Sequence, residues 1–298
     1  MKPSLIFRQY VWIVNTLRRY GRMTLEELSQ KWIDDDMANG NPLARSTFNR
    51  HRDAVLDMFG VIIDCDVQGG YKYFIANPKV LQTDSIARWM LNTLTVGGIL
   101  VDSVSVKDRI LLESVPAGEE FLQTIIKAMK SGHKLEVSYR RFGQQETTTI
   151  LSPYTLKLFR QRWYLLADNG KYLSTYALDR MISLTELAAT FDLPEDFSAQ
   201  EFFADYFGIV TKEEQMEHII VRTYGTTADY LRTLPLHASQ QELQGTSDEY
   251  TDFSLDLRPT YDFLQLLLSH GGNIEVLQPE SLRRQLREHI VQAAERYK

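Results

Sequence analysis

The sequence predicts a multidomain α+β protein built from a winged helix-turn-helix, a helical linker, a small β-barrel and a ferredoxin-like α/β C-terminal domain. Three observations predict it. Helical periodicity over residues 3–59 runs into a Gly-Gly hairpin at 61–75, the apolar period changes to two from Lys134, and from 218 onward the patterns follow the order βαββαβ. The boundaries read as 1–77, 78–131, 132–190, a linker over 191–216, and 217–298.

The first helix is expected over about 3–20, where Ile6, Tyr10, Ile13, Val14 and Leu17 recur at helical spacing and Gly21 ends the run. Thr24 with Glu27 three residues on makes a capping box, and Leu25, Leu28 and Trp32 give a second helix its buried stripe. After a long polar turn from Asp34 to Pro42, Ser46 is expected to cap a third helix. Its inner face reads Phe48, Val55, Leu56 and Phe59, and Gly60 is its stop. Val61 to Cys65 and Tyr71 to Ile75 then flank Gly69-Gly70 as the strands of a wing.

In a winged helix-turn-helix the last helix enters the major groove. Stepping 100° per residue from Phe48 turns Arg50 outward, with Thr47 and Asn49 beside it in the first turn. Arg can fork onto guanine, Asn can pair with adenine and Thr can touch a thymine methyl, so these three are the candidate base readers. Ser46 at the helix N-terminus, Arg45, and Lys72 on the wing suit phosphates. Residues 37–52 hold no acid but carry Arg45, Arg50, His51 and Arg52, whereas Asp53 and Asp57 also face outward and must lie where the helix leaves the groove. Arg52 faces inward, equally suited to an ion pair. The competing interpretation is a helical bundle with merely solvated cations.

Pro78 breaks the wing strand, and residues 80–130 read as helical: Ile86, Met90, Leu91 and Leu94, then Ile110 to Leu112, then Phe121, Ile125, Ile126 and Met129. Gly97-Gly98 and Pro116-Ala117-Gly118 are expected to interrupt them. A linker and dimerisation bundle is the expectation. Beyond it five short strands are predicted, at Leu135 to Tyr139, Thr147 to Leu151, Tyr154 to Phe159, Trp163 to Ala167 and Tyr172 to Leu178, with Asn169-Gly170 as a hairpin turn. So many short strands in about fifty residues imply a small barrel or a strongly bent sheet.

In three stretches, Ser152 to Lys157, Phe159 to Ala167 with its run Arg162-Trp163-Tyr164-Leu165-Leu166, and Tyr176 to Met181, the chain resembles the bacterial WYL-domain transcriptional regulators. The resemblance implies a winged helix-turn-helix, an Sm/SH3-like WYL barrel and a C-terminal extension that meets the partner subunit. It also implies that the barrel senses a nucleotide or single-stranded nucleic acid through basic and aromatic side chains. Carried to this sequence, that implicates Tyr139, Tyr154, Lys157, Arg162, Tyr176 and Arg180 as ligand contacts. The chemistry agrees in kind, since Arg forks onto phosphate, Lys adds a point charge and Tyr offers a flat face to a base. Alternation places Arg162 and Tyr164 on one face of their strand and Trp163 and Leu165 on the other, the latter pair read as core. Arg162 and Arg180 could instead pair with Asp168 or Asp179.

The last third predicts a strand at 218–224, a helix at 226–233, strands at 240–245 and 250–257, a helix at 260–269, a strand at 273–277 and a closing helix at 280–297. Arg283, Arg284 and Arg287 on that helix form either a second basic patch or solvated cations near a helix terminus.

Composition bounds the function. The 298 residues, 44% apolar and 24% charged, suit a globular chain of two or three domains. The formal net charge of −6 is uneven: +1 over 1–75, zero over 76–132, +4 over 133–182 and −11 over 183–298. A local positive patch is what DNA requires, so the acidic total does not exclude it. No apolar run nears the roughly 18–20 residues of a membrane helix, the N-terminus lacks a signal-peptide core, and the single Cys65 leaves no internal disulfide. A cytoplasmic protein without membrane contact is expected. Neither a phosphate-binding glycine loop nor a metal or nucleophile motif is present, and the six histidines are scattered, so no enzyme, metal or cofactor is expected.

The sequence therefore points to a homodimeric regulator binding double-stranded DNA at an inverted repeat, repressor rather than activator, whose operator affinity is set by an effector at the WYL domain. The alternatives are a nucleic-acid-binding accessory protein without regulatory output and an unrecognised enzyme.

Overall fold

The computed structural model describes residues 3–81, 86–102, 109, 118–211, 214–244 and 249–298, and the chain divides into two compact units, Met1–Glu113 and Ser114–Lys298. Both are mixed in the expected sense: helices with antiparallel sheets.

In the first unit, α1 (Pro3–Tyr20), α2 (Leu25–Asp34) and α3 (Arg45–Phe59) enclose a core that includes Ile13, Val14, Leu28, Trp32, Phe48 and Val55. The capping box forms: Glu27 N donates to Thr24 Oγ1 at 3.2 Å and Thr24 N to Glu27 Oε2 at 2.8 Å. Gly60 ends α3 in the left-handed conformation at φ 63°, where glycine avoids the Cβ penalty. The long turn before α3 is ordered because its apolar residues enter the core. Met37 and Leu43 are buried, and the Met37 carbonyl accepts from Gln9 Nε2 at 2.8 Å.

Three expectations for this unit change. The N-cap of α3 is Ala44, without a side-chain cap, so Ser46 lies within the first turn. The buried stripe is Phe48, His51, Val55 and Phe59, at i, i+3, i+7 and i+11, so His51 is inside while Leu56 is 47% exposed. The next helix, α4 (Ile86–Asp102), runs through Gly97-Gly98 uninterrupted, and its Ala87 and Leu91 join the core beneath α1 and α3. Ile110 to Leu112 and Pro116-Ala117 lie outside the described residues.

The hairpin expected as the wing is β1 (Ile63–Asp66) paired antiparallel with β2 (Lys72–Ile75). Met23 and Tyr73 add a bridge to it, and Tyr73 packs edge-on against Phe48 with ring centroids 4.6 Å apart. Asn77 ties the wing to the end of α3, donating to the Gly60 carbonyl and accepting from Ile62 N, each at 2.8 Å.

In the second unit a 3-10 turn at Glu119–Phe121 leads into α5 (Leu122–Ser131), whose Ile125 and Ala128 pack on a five-stranded antiparallel sheet. Its strands are β3 (His133–Arg140), β4 (Glu146–Phe159), β5 (Arg162–Asp168), β6 (Leu173–Ala177) and β7 (Met181–Thr190), in the order β6-β5-β4-β3-β7. The two strands expected at 147–151 and 154–159 are one, bent at a register shift between Pro153 and Thr155. The strand β7 was not foreseen; it follows a tight 3-10 turn at Leu178–Arg180. Residues 78–131, expected as one linker, thus send α4 to one core and α5 to the other.

After the short helix α6 (Ala199–Ala204) come β8 (Glu217–Tyr224), α7 (Thr227–Thr233), β9 (Gln241–Glu242), β10 (Tyr250–Leu257), α8 (Tyr261–Ser269), β11 (Ile274–Gln278) and α9 (Glu280–Glu295). The sheet order is β11-β8-β10-β9, every pair antiparallel. Alternate residues such as Ile219, Val221, Phe253, Leu255 and Val276 join Phe263, Leu267 and Leu286 of the helices in one core. Arg283 lies in the first half of α9, away from its negative end, and is fastened to β11 through the Val276 carbonyl at 2.7 Å and Glu275 Oε1 at 2.8 Å.

Candidate functional site

In the first unit, α3 presents two faces. Phe48, His51, Val55 and Phe59 turn inward, while Arg45, Ser46 and Arg50 are exposed and Thr47 and Asn49 half-exposed at the N-terminal end. The side chain of Arg50 reaches Thr47 Oγ1 at 3.5 Å, and among the described residues neither Arg45 nor Arg50 makes an ion pair. Exposed Asp53 and Asp57 confine the cationic surface to the first turns of the helix. On the wing, Lys72 is half-buried beside the exposed Tyr71, and Asp66 is occupied by Arg22 at 2.5 Å.

His51 does not belong to this surface. Its Nε2 lies 3.1 Å from Gln9 Oε1, and burial, assisted by the charge of Arg50, lowers its pKa, which favours a neutral ring. Sequence periodicity could have shown this, since 51 lies three residues from 48 and four from 55.

In the second unit, all six expected ligand contacts are engaged internally. Tyr139 and Tyr176 are buried with rings edge-on at 5.3 Å. Ala177 N donates to the Tyr139 hydroxyl at 3.2 Å, and Asn169 Nδ2 donates to that of Tyr176 at 3.3 Å. Tyr154 stacks on Phe191 and meets Phe197 edge-on, with centroids at 6.1 and 5.1 Å. Lys157 donates to the Gly208 carbonyl at 2.7 Å and lies 4.0 Å from the Phe203 ring centre. Within the stretch expected as a linker, 191–216, residues 191–211 therefore supply a strap across this sheet, pinned also by Thr175 Oγ1 donating to the Ile209 carbonyl at 2.8 Å.

Arg162 and Arg180 remain, and they converge. Arg162 Nη1 pairs with Asp179 Oδ2 at 3.2 Å, with 36% of the arginine side chain exposed and 9% of the aspartate. The guanidinium of Arg180 lies 4.0 Å over the ring centre of Phe142, at the tip of the β3–β4 hairpin. Two polar atoms here, Asp179 Oδ1 and Arg180 Nε, are buried without a hydrogen-bond partner among the described residues. Leaving such atoms unpaired costs on the order of 1–3 kcal/mol each, so their pairing is in demand. Charges of Arg162, Asp179 and Arg180 all reach Tyr164, whose hydroxyl pKa is raised chiefly by burial. The sequence had no signal that singled out Phe142, because a residue in a turn reads as a connector.

This architecture is that of a WYL module followed by a second α/β module. Residues 120–186 match the WYL domain and residues 216–294 the WCX domain, so the chain is a WYL-domain protein with a C-terminal WCX domain. No curated protein matches the chain by sequence. Among solved structures, the chain is similar to proteasome accessory factor B/C (PafBC) of Arthrobacter aurescens, with 19% identity over 95% of this chain and a TM-score of 0.38; it spans 45% of that chain. It is also similar to a CRISPR Cas-related protein, with 11% identity, 99% of this chain and 85% of that chain covered and a TM-score of 0.40. Among the described residues no helix is long and apolar enough to cross a membrane and no group of potential ligands could hold a metal ion.

Proposed function

We propose that this protein is a DNA-binding transcription regulator, not an enzyme, whose first unit acts as a winged helix-turn-helix and whose WYL domain receives a nucleotide-like or nucleic-acid effector. The observation that carries the reading is the two-sided α3, apolar and locked inside while Arg45, Ser46, Thr47, Asn49 and Arg50 crowd its exposed N-terminal end. A helix N-terminus bearing Arg and Asn suits major-groove edges and flanking phosphates. The wing, fixed to α3 through Tyr73 and Asn77, holds Lys72 in a set relation to it.

A single winged helix makes a small contact, so the reading includes a homodimer on an inverted repeat, with half-sites spaced by about one helical turn or a multiple of it. Repression follows if the dimer covers a promoter and the effector releases it. The WCX domain, ferredoxin-like in its strand order, is assigned to the partner contact. Coupling between effector and operator is reciprocal, typically about 1–3 kcal/mol.

The test is a footprint of the purified chain on the DNA flanking its own gene, repeated with effector candidates, and light scattering at micromolar concentration. A protected inverted repeat and a dimer support the reading. A monomer that binds all duplexes alike defeats it.

A further inference from the structure

We infer that Gln9 and His51 are positioning residues for DNA reading: a buried hydrogen-bonded chain, from the Met37 carbonyl through the Gln9 amide to the His51 ring, holds the exposed end of α3 in the setting that presents Arg50 to a base edge. This rests on the reading of α3 as the DNA-reading helix and names what sets its specificity.

The chain crosses three elements. Gln9, on α1, is 3% exposed, and its Nε2 donates to the Met37 carbonyl in the turn before α3 at 2.8 Å. A carbonyl only accepts, so this bond fixes which end of the amide is which and turns Oε1 toward His51 Nε2 at 3.1 Å. His51 Nε2 therefore carries the proton of the second bond. Tyr10, edge-on at 5.0 Å, and Trp32, at 6.0 Å, hold the imidazole in that direction. Polar groups buried in an apolar core are costly unless paired, and here a single arrangement pairs the carbonyl, the amide and the ring together.

The chain sits where α3 needs a directional fixing. Its N-cap, Ala44, offers no side-chain bond. Its approach is long, because α2 ends at Asp34 and α3 begins only at Arg45, whereas a helix-turn-helix ordinarily turns in about three or four residues. Part of that turn is tied to α2, through Met37 N donating to the Trp32 carbonyl and Leu43 N to Ser29 Oγ, each at 3.0 Å. Another tie runs to α1, through Trp12 Nε1 donating to Asp35 Oδ2 at 2.7 Å. Gln9 carries the connection on into α3 itself. Phe48 and Val55 bury that helix, but apolar packing has no direction, whereas the bond to His51 does. His51 follows Arg50 directly and lies one helical turn after Thr47. A forked bond from Arg50 to a base edge is lost with a small shift of the helix, while long cations on phosphates follow such a shift. Releasing the chain thus removes base reading before it removes general DNA affinity.

The experiment measures affinity for an operator selected by the wild type from random sequences, and for a scrambled duplex, at fixed salt. The variants are Gln9→Met, which keeps the length of the side chain without its amide, His51→Leu, and His51→Gln, which keeps an N–H donor; Gln9→Met is also combined with Arg50→Ala. Circular dichroism sets a temperature at which every variant is folded. Gln9→Met and His51→Leu are expected to weaken operator binding about tenfold and scrambled-duplex binding by about twofold or less, and His51→Gln to restore most of the operator affinity. In the Arg50→Ala background, Gln9→Met is expected to cost about twofold or less on the operator, because the contact it positions is already gone. A merely structural role would not depend on Arg50. Equal losses on both duplexes, or the same loss with and without Arg50, overturn the inference. A wild type that selects a sequence, matched in affinity and selectivity by Gln9→Met, defeats the inference alone, whereas a wild type that selects no sequence defeats the reading of α3 and the inference with it.

Discussion

The ammonium of Lys157 and the carbonyl of Gly208 are joined at 2.7 Å, which fastens the bent strand β4 to the strap that leads into the WCX domain. The same ammonium sits 4.0 Å from Phe203, so a lysine that looked like a ligand cation holds two modules of one chain together. Burial lowers its pKa from 10.5 to about 8, against the opposing pull of Asp262.

A stability profile follows from that shift. Between about pH 8 and 10.5 the unfolded chain holds the Lys157 proton and the folded chain has released it, so raising the pH through this window stabilises the fold. Urea unfolding of the wild type at pH 7.5, 8.5 and 9.5 should show this upward contribution, and Lys157→Met should lack it. Equal slopes in the two proteins would remove the buried-lysine account.

The strap itself is tested at Gly208. A Cβ there would lie 2.3 Å from Asp262 Oδ2 and 2.9 Å from Phe159 Cζ. Asp262 cannot retreat, because that oxygen accepts from Ile209 N at 2.9 Å and Val210 N at 3.1 Å. Gly208→Ala should cost about 1–3 kcal/mol by overpacking, read from the urea midpoint. At Gly272 a Cβ meets nothing within 4 Å, so Gly272→Ala should move the midpoint much less.

His51 gives the first unit an acid-side dependence. Its folded pKa lies below the ordinary 6.5, first because of burial and then because of Arg50. As pH falls through 6.5 the unfolded chain takes up the proton and the folded chain resists it, so stability declines. Tryptophan fluorescence during denaturation should show this decline between pH 7 and 5, and His51→Gln should flatten it. An unflattened profile would assign the decline to other groups.

Local signals made the first unit legible: the Thr24 and Glu27 box, Gly60 and the Gly69-Gly70 hairpin each act within a few residues. Ser46 misled because the capping preference of serine does not distinguish the N-cap from the turn just inside it. Pro153 suggested a strand break, since proline cannot donate to a ladder, but a register shift absorbs it and β4 continues. The pairing of Tyr154 with Phe191 and Phe197, and of Lys157 with Gly208, depends on a strap about forty to fifty residues away, which no local periodicity encodes. Arg162 and Arg180 stand out through the resemblance, and the ion pair of Arg162 with Asp179 is the alternative that the sequence offered; the meeting of Arg180 with Phe142 is a product of the fold.

The central claim, that the exposed end of α3 reads DNA sequence, is tested most directly by comparing Arg50→Ala and Lys72→Ala on a selected operator and on random duplex at fixed salt. The account predicts that Arg50→Ala loses about 1–3 kcal/mol on the operator and little on random DNA, while Lys72→Ala weakens both alike. Equal losses on the two duplexes for Arg50→Ala, or selection that enriches no sequence, would contradict it.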